Sequence, residues 1–287
     1  MTLTKPTADI FVPNGNPVDE ALEATTIVGI GAHQDDIEIL AYNGIIKAFA
    51  DPAEGFGSIT VTNGSGSSRA NVYANYSDDE MQTVRRREQI KAAIVGEYTF
   101  AAFLDFASSE VKDPTNSAPV KDLTELLKKT RPKTIYTHNP ADKHDTHVAV
   151  LICVIEALRQ LPPDCHPSTF LGCETWRDLD WLCDEDKQTL DVSAHENLAT
   201  ALLGVFDSQI CGGKRYDLAT MGRRRANATY LESHATDQTS ALTLAMDLLP
   251  LLTSETNVTD YVEELIQHFR QDVQNRIKKL ERQMPPD

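Results

Sequence analysis

Two short runs hold the groups whose types and spacing could do chemistry. The first is His33-Gln34-Asp35-Asp36; the second is His138-Asn139-Pro140-Ala141-Asp142-Lys143-His144-Asp145-Thr146-His147, with three histidines in ten residues. A set of imidazoles and carboxylates without cysteine suits zinc at a catalytic centre, where three protein ligands leave a position for water. Zinc lowers the pKa of bound water towards about 7 and polarises a carbonyl. A nearby carboxylate that is not a ligand can take the water proton. Adjacent aspartates cannot easily point the same way, so one as ligand and one as base is a natural division. This chemistry predicts hydrolysis of an amide or ester, and the ligand set also admits iron, cobalt or manganese. Taken singly, Asp35 and Asp36 would be helix caps and each histidine a packing residue; the two runs together weigh for a metal site.

The surrounding pattern says how the runs are positioned. Thr26 to Ile30 reads as an apolar strand, Gly31-Ala32 as a tight turn, and Asp36 to about Ala50 as a helix stopped by Asp51-Pro52. Residues 57–62 form a second strand, followed by the Gly/Ser-rich stretch 63–80. That stretch lacks the Lys-Ser/Thr of a P-loop; it is expected to be an active-site loop, with a backbone phosphate cradle involving 63–69 and Arg69 as the lesser reading. A helix starting near Ser77 carries Arg85, Arg86 and Arg87, which point about 100° apart, so at most one or two face a site. A strand ending near Leu104, a helix over 120–130 and a strand over 133–137 deliver the second run, and His144 and His147 share a face of the helix that follows. Both runs thus fall after strands of an open α/β sheet, where ligands bind outside the carboxyl ends.

Beyond Pro163 the expected elements are a strand and turn with Trp176 and Trp181 as core or interface residues, then helices over 194–206, 218–231, 240–252 and 258–282. Lys214, Arg215, Arg223, Arg224, Arg225 and His234 could make a positive pocket or a set of surface ion pairs. No linker composition divides the 287 residues, so one domain is expected over 1–287, with an N-terminal arm (1–23), a metal-site core (24–160) and a substrate-side, helical C-terminal part (161–287). The net charge of −16 argues against nucleic-acid or anionic-membrane partners. No apolar run approaches the ~18 residues of a membrane span, and the start does not read as a signal peptide. Five cysteines without a C-x-x-C pair fit a reducing, cytoplasmic setting and no disulfide framework. GIGAHQDD lacks the third glycine of G-x-G-x-x-G and puts acids where a pyrophosphate would sit, which disfavours a dinucleotide enzyme.

His33-Gln34-Asp35-Asp36 resembles the HPDD signature of the PIG-L/LmbE-like zinc-dependent N-deacetylases, with Gln34 in place of proline and Glu38 at an alternative acidic position. His144-Asp145-Thr146-His147 resembles the family's downstream H-x-x-H, and the RRREQIKAA helix resembles its Arg/Glu helix. The likeness covers about residues 25–160. It implies a Rossmann-like, mostly parallel sheet flanked by helices, with additional C-terminal helices. It implies Zn2+ held by His33, Asp36 and His147, Asp35 as general base, and His144 as oxyanion stabiliser or proton carrier. Arg85 matches a substrate-facing arginine. Arg69, Lys214, Arg215 and His234 are further candidates for substrate contacts. The implied reaction removes an N-acetyl group from a GlcNAc-type amino sugar or conjugate, with a phosphorylated one in scope. The competing readings are a hydrolase of another small amide (a thiol conjugate or antibiotic precursor) and a non-catalytic sugar-binding module. The oligomeric state is left open, a homo-oligomer included.

Overall fold

The structure, a computed structural model, describes residues 1–253 and 257–281. Eight strands form one sheet: β1 (Asp9–Phe11), β2 (Ile27–Gly31), β3 (Phe56–Thr62), β4 (Phe100–Phe106), β5 (Thr134–His138), β6 (Thr169–Cys173), β7 (Gln188–Asp191) and β8 (Leu242–Asp247). Their order is β1-β4-β3-β2-β5-β6-β8-β7. The five central strands β4, β3, β2, β5 and β6 run parallel, whereas β1, β8 and β7 pair antiparallel at the two ends. The described helices are α1 (Val18–Glu23), α2 (Asp36–Leu40), α3 (Tyr42–Ala50), α4 (Asp78–Val95), α5 (Ser108–Val111), α6 (Ala118–Thr130), α7 (Asp145–Arg159), α8 (Glu196–Gly204), α9 (Asp207–Ile210), α10 (Tyr216–Tyr230), α11 (Pro250–Thr253) and α12 (Val258–Glu281). This is the mostly parallel α/β sheet flanked by helices that the sequence predicts.

Strands buried on both faces read as continuous apolar runs, and β2 and β3 are buried along their whole length. One face packs Val28, Ile30, Val61 and Leu104 against α1, α6 and α7. The other packs Ile27, Phe56, Phe103 and Tyr136 against α2, α3, α4 and α8. On that second face β2 offers only Ile27, Gly29 and Gly31. A Cβ on Gly29 would lie 2.9 Å from Phe56 and 3.0 Å from Ile37, and one on Gly31 would lie 2.9 Å from the Cβ of Asp36. The two glycines therefore let α2, and with it Asp36, sit directly on the strand. The switch in strand order falls between β2 and β5, which is where doubly wound sheets open a crevice at their carboxyl ends.

Several elements differ from the sequence reading. The expected 36–50 helix is two helices meeting at Ala41. The N-terminal arm contributes β1, paired with β4 at the sheet edge, as well as α1. The helix expected over 240–252 is instead the strand β8, followed by the single turn α11. Its apolar run lies between β6 and β7 with most of its residues buried, and a short buried strand and a buried helix turn look alike in an apolar run. The exposed β7 was not expected at all. The 258–282 helix is present through Glu281, its last expected residue lying outside the described ones. All five cysteines are free. Among the described residues no helix is long and apolar enough to cross a membrane.

Replacing Gly29 by alanine should force Phe56 and α2 outwards. Overpacking of this kind costs about 1–3 kcal/mol, so Gly29→Ala should lower the urea midpoint at unchanged slope; an unchanged midpoint would show that the strand and α2 are not in close contact.

Candidate metal and active site

The β2–α2 turn presents the first run. Asp36 folds back so that its Oδ2 accepts the His33 backbone N–H at 2.6 Å. The same carboxylate faces three imidazoles: His33 Nδ1 at 3.3 Å, His138 Nε2 at 3.4 Å and His147 Nε2 at 3.4 Å. Burial alone would raise the Asp36 pKa, but His147 and His138 outweigh it and hold the carboxyl well below its usual range. His33 Nδ1 and His147 Nε2 stand 3.2 Å apart. The donor atoms of His33, Asp36 and His147 all lie within 4.8 Å of one another. Two nitrogens and a carboxylate converging on one point are the donor set of a divalent metal centre, so these residues fit the metal that the chemistry calls for.

His138 stands beside this group without joining it. Its Nε2 accepts the Ala32 backbone N–H at 2.9 Å, and burial pushes its pKa down to about 4. It is a neutral ring whose lone pair is already used, stacked on His147 at 3.9 Å between centroids. Asp142 supports His147 from behind, Oδ1 to Nδ1 3.5 Å. It also accepts the backbone N–H of His144 and of Trp176, each at 3.0 Å. A carboxylate behind a metal-binding imidazole fixes its orientation and raises its basicity.

Asp35 points elsewhere. Its φ of 92° is a left-handed conformation that non-glycine residues avoid, and it turns the side chain away from Asp36. Strain of this sort costs on the order of 1–3 kcal/mol and concentrates at functional sites. The carboxylate accepts Arg85 Nη2 at 2.9 Å. Burial raises its pKa to about 6, against the lowering charge of Arg85. Arg85 is itself buried, bonded also to Glu88 Oε2 at 3.1 Å and to the Gln34 carbonyl. Glu88 in turn accepts Ser208 N at 2.6 Å and Ser208 Oγ at 2.8 Å. The helix α4 that carries Arg85 begins with a full capping box from Ser77 and Glu80.

Two cavities open onto Asp35, Asp36, Trp176 and Tyr216. One of about 250 Å3 runs past Ile39, Glu174, Arg223 and Arg224. The other, about 460 Å3, is lined by His33, His144, Arg85, Lys112, Lys214 and the 64–68 loop among others. His144 stands at its mouth with its ring 4.9 Å from His33 and 4.7 Å from His147. Burial and the neighbouring rings push its pKa down, which favours the neutral ring. Lys214 lies 5.1 Å over the Trp176 ring.

The structure thus gathers His33, Asp35, Asp36, Arg85, His144, His147 and Lys214. Arg85 is present, but its guanidinium faces Asp35 and Glu88, so it positions the carboxylate. Arg69 is not at the site: it pairs with Asp78 and the Ser65 carbonyl of its own loop. Arg215 pairs with Asp217 at 2.7 Å on the surface, Arg225 pairs with Glu196, and His234 is exposed; none of these lines either cavity. The expected positive pocket is split between the cavities and surface ion pairs. Asp142, Glu88, Lys112 and Tyr216 were not singled out by sequence, and His138, counted among the three histidines of the second run, was given no role of its own. Asp142 could have been, since it lies inside the histidine run.

Residues 28–158 match the PIG-L family, described as GlcNAc-PI de-N-acetylase. No curated protein matches the chain. Three solved structures share its fold. The N,N'-diacetylchitobiose deacetylase of Pyrococcus horikoshii is 18% identical, with TM-score 0.62 over 87% of this chain and 93% of that one. A conserved protein of Thermus thermophilus is 18% identical, with TM-score 0.60 over 81% and 99%. The 4-carboxy-2-hydroxymuconate hydratase of Pseudomonas putida is 14% identical, with TM-score 0.62 over 81% and 100%. At these identities the likeness defines the fold, and the same fold serves a deacetylase and a hydratase, so the reaction must be argued from the site.

Removing the carboxylate behind His147 tests the metal reading. Asp142→Asn should weaken zinc affinity about 10–100-fold in competition with a chelator, at unchanged circular dichroism. Equal affinity would mean that His147 is not a ligand.

Proposed function

We propose that the protein is a zinc-dependent hydrolase that removes an N-acetyl group from an amino sugar of the GlcNAc type or its conjugate. The observation that carries this reading is the opposed orientation of Asp35 and Asp36. One carboxylate joins His33 and His147 in a compact donor set; the other is buried beside it, held by Arg85 and open to both cavities. His33, Asp36 and His147 would hold the zinc. Bound there, the metal would supply an activated water and polarise the acyl carbonyl.

The chain's own residues account for the remaining proton movements. Asp35 takes the proton from the water as its oxygen bonds to the acyl carbon. His144, a neutral ring at the cleft, donates a hydrogen bond to the oxygen on which negative charge develops. The C–N bond then breaks, and the proton held by Asp35 passes to the leaving nitrogen, giving acetate and the free amine. Arg85 keeps the Asp35 carboxylate in place between these transfers. Trp176 and Tyr216, 5.8 Å apart in an edge-to-face pair, offer a stacking wall for a sugar ring. Lys112 and Lys214 give the wider cavity positive charge that suits a phosphate or other anionic substituent.

Acetate release should be measured from GlcNAc, its 6-phosphate, GalNAc, diacetylchitobiose and a GlcNAc conjugate, with metal-stripped protein before and after zinc. Release restored by zinc from at least one compound is the expected result; no release from any, with zinc bound, would remove the amino-sugar reading. Asp35→Asn should lower kcat about 10²–10⁴-fold while retaining the metal. Full activity in that variant would assign the base to another group.

A further inference from the structure

A second cluster of metal-binding groups lies away from the cleft. Cys183, Asp186 and His268 bring a thiol, a carboxylate and an imidazole together, with donor atoms within 4.8 Å of one another. None of them lines the two cavities at Asp35 and Asp36. Cys183 caps the short turn Asp184–Asp186 in the connection between β6 and β7, and Asp186 closes it. His268 comes from the middle of α12, about 80 residues further along the chain. Its Nδ1 is 2.6 Å from Asp186 Oδ2 and its Nε2 is 3.5 Å from Glu185 Oε1.

The local charge favours a cation. Asp184 is paired with Lys187, and Asp272 with Arg276. Glu185 and Asp186 have only His268 as an ion-pair partner among the described residues. The charges of Glu185, Asp186 and Asp272 all bear on both the Cys183 thiol and the His268 ring. Helix α12 needs an attachment here. It is 24 residues long and has no buried residue. It touches the core through Val258, Tyr261 and Leu265 and by the Tyr261 hydroxyl on the Asp247 carbonyl at 2.5 Å. His268 lies one turn beyond Leu265, where that packing ends.

We propose that Cys183, Asp186 and His268 form a second metal site, of the zinc class, that fastens α12 to the β6–β7 connection. A mixed sulfur, nitrogen and oxygen donor set selects zinc or cobalt over magnesium or calcium. Binding converts the Cys183 thiol to a thiolate and releases its proton to solvent. With three protein ligands, water completes the coordination on the exposed side.

Cobalt(II) separates this site from the catalytic one, because His33, Asp36 and His147 contain no sulfur. The full chain titrated with cobalt(II) should show a thiolate-to-cobalt charge-transfer band in the near ultraviolet. The band should vanish in Cys183→Ser and should persist in Asp36→Ala, which disrupts only the catalytic group. His268→Asn, at an exposed position, should weaken the cobalt affinity behind the band at least tenfold. Absence of the band in the wild-type chain, or a band unchanged in Cys183→Ser or in His268→Asn, would overturn the proposal and leave His268 and Asp186 as a surface ion pair.

Discussion

The Asp36 carboxylate is the group on which the site depends. It is buried, and a buried ionised carboxylate is costly unless it is paired or hydrogen-bonded. The fold meets that cost from two directions. The His33 N–H closes the turn after β2, and His147 comes from the first turn of α7. The charge that a metal would require therefore also ties the turn after β2 to the helix that follows β5, at the switch in sheet order. The glycines of β2 follow from the same need, because α2 must lie on the strand for Asp36 to reach the middle of the cluster.

Asp35 shows how the backbone separates two adjacent residues of one type. Its positive φ aims it at Arg85 while Asp36 stays among the imidazoles. Arg85 is anchored by Glu88, and Glu88 by Ser208, so the order of the Asp35 carboxylate is set by α4 and the start of α9. The two halves of the chain meet at that point: the first supplies His33, Asp35, Asp36 and His144, and the second lines the same cavity with Trp176, Tyr216 and Lys214. Burial raises the Asp35 carboxyl pKa against the lowering charge of Arg85.

How much of this was legible in the sequence follows from what each signal encodes. His33, Asp35, Asp36, His144 and His147 stood out because unusual residue types recur after strands, and backbone topology alone brings strand ends together. The parallel core was legible because its strands are rich in apolar and β-branched residues. The strand β8 was misread because its run of apolar residues carries no period that separates a short buried strand from a helix. Substrate contacts were the least legible. Arg69, Arg215 and His234 were chosen for their charge, but charge does not say which way a side chain points. Asp78 and Asp217, close in sequence, hold the two arginines at the surface. The segment 105–113 was expected at the same sheet edge, but nothing in it marked Lys112, which caps α5 beside the site.

The central claim is the division of labour between the two aspartates, and an anomalous difference map from crystals of the zinc-loaded protein tests it most directly. The account predicts a peak bonded to His33 Nδ1, an Asp36 oxygen and His147 Nε2, with Asp35 outside bonding distance and still on Arg85. A peak bonded to Asp35, or one that recruits His138 in place of His33 or His147, would contradict it.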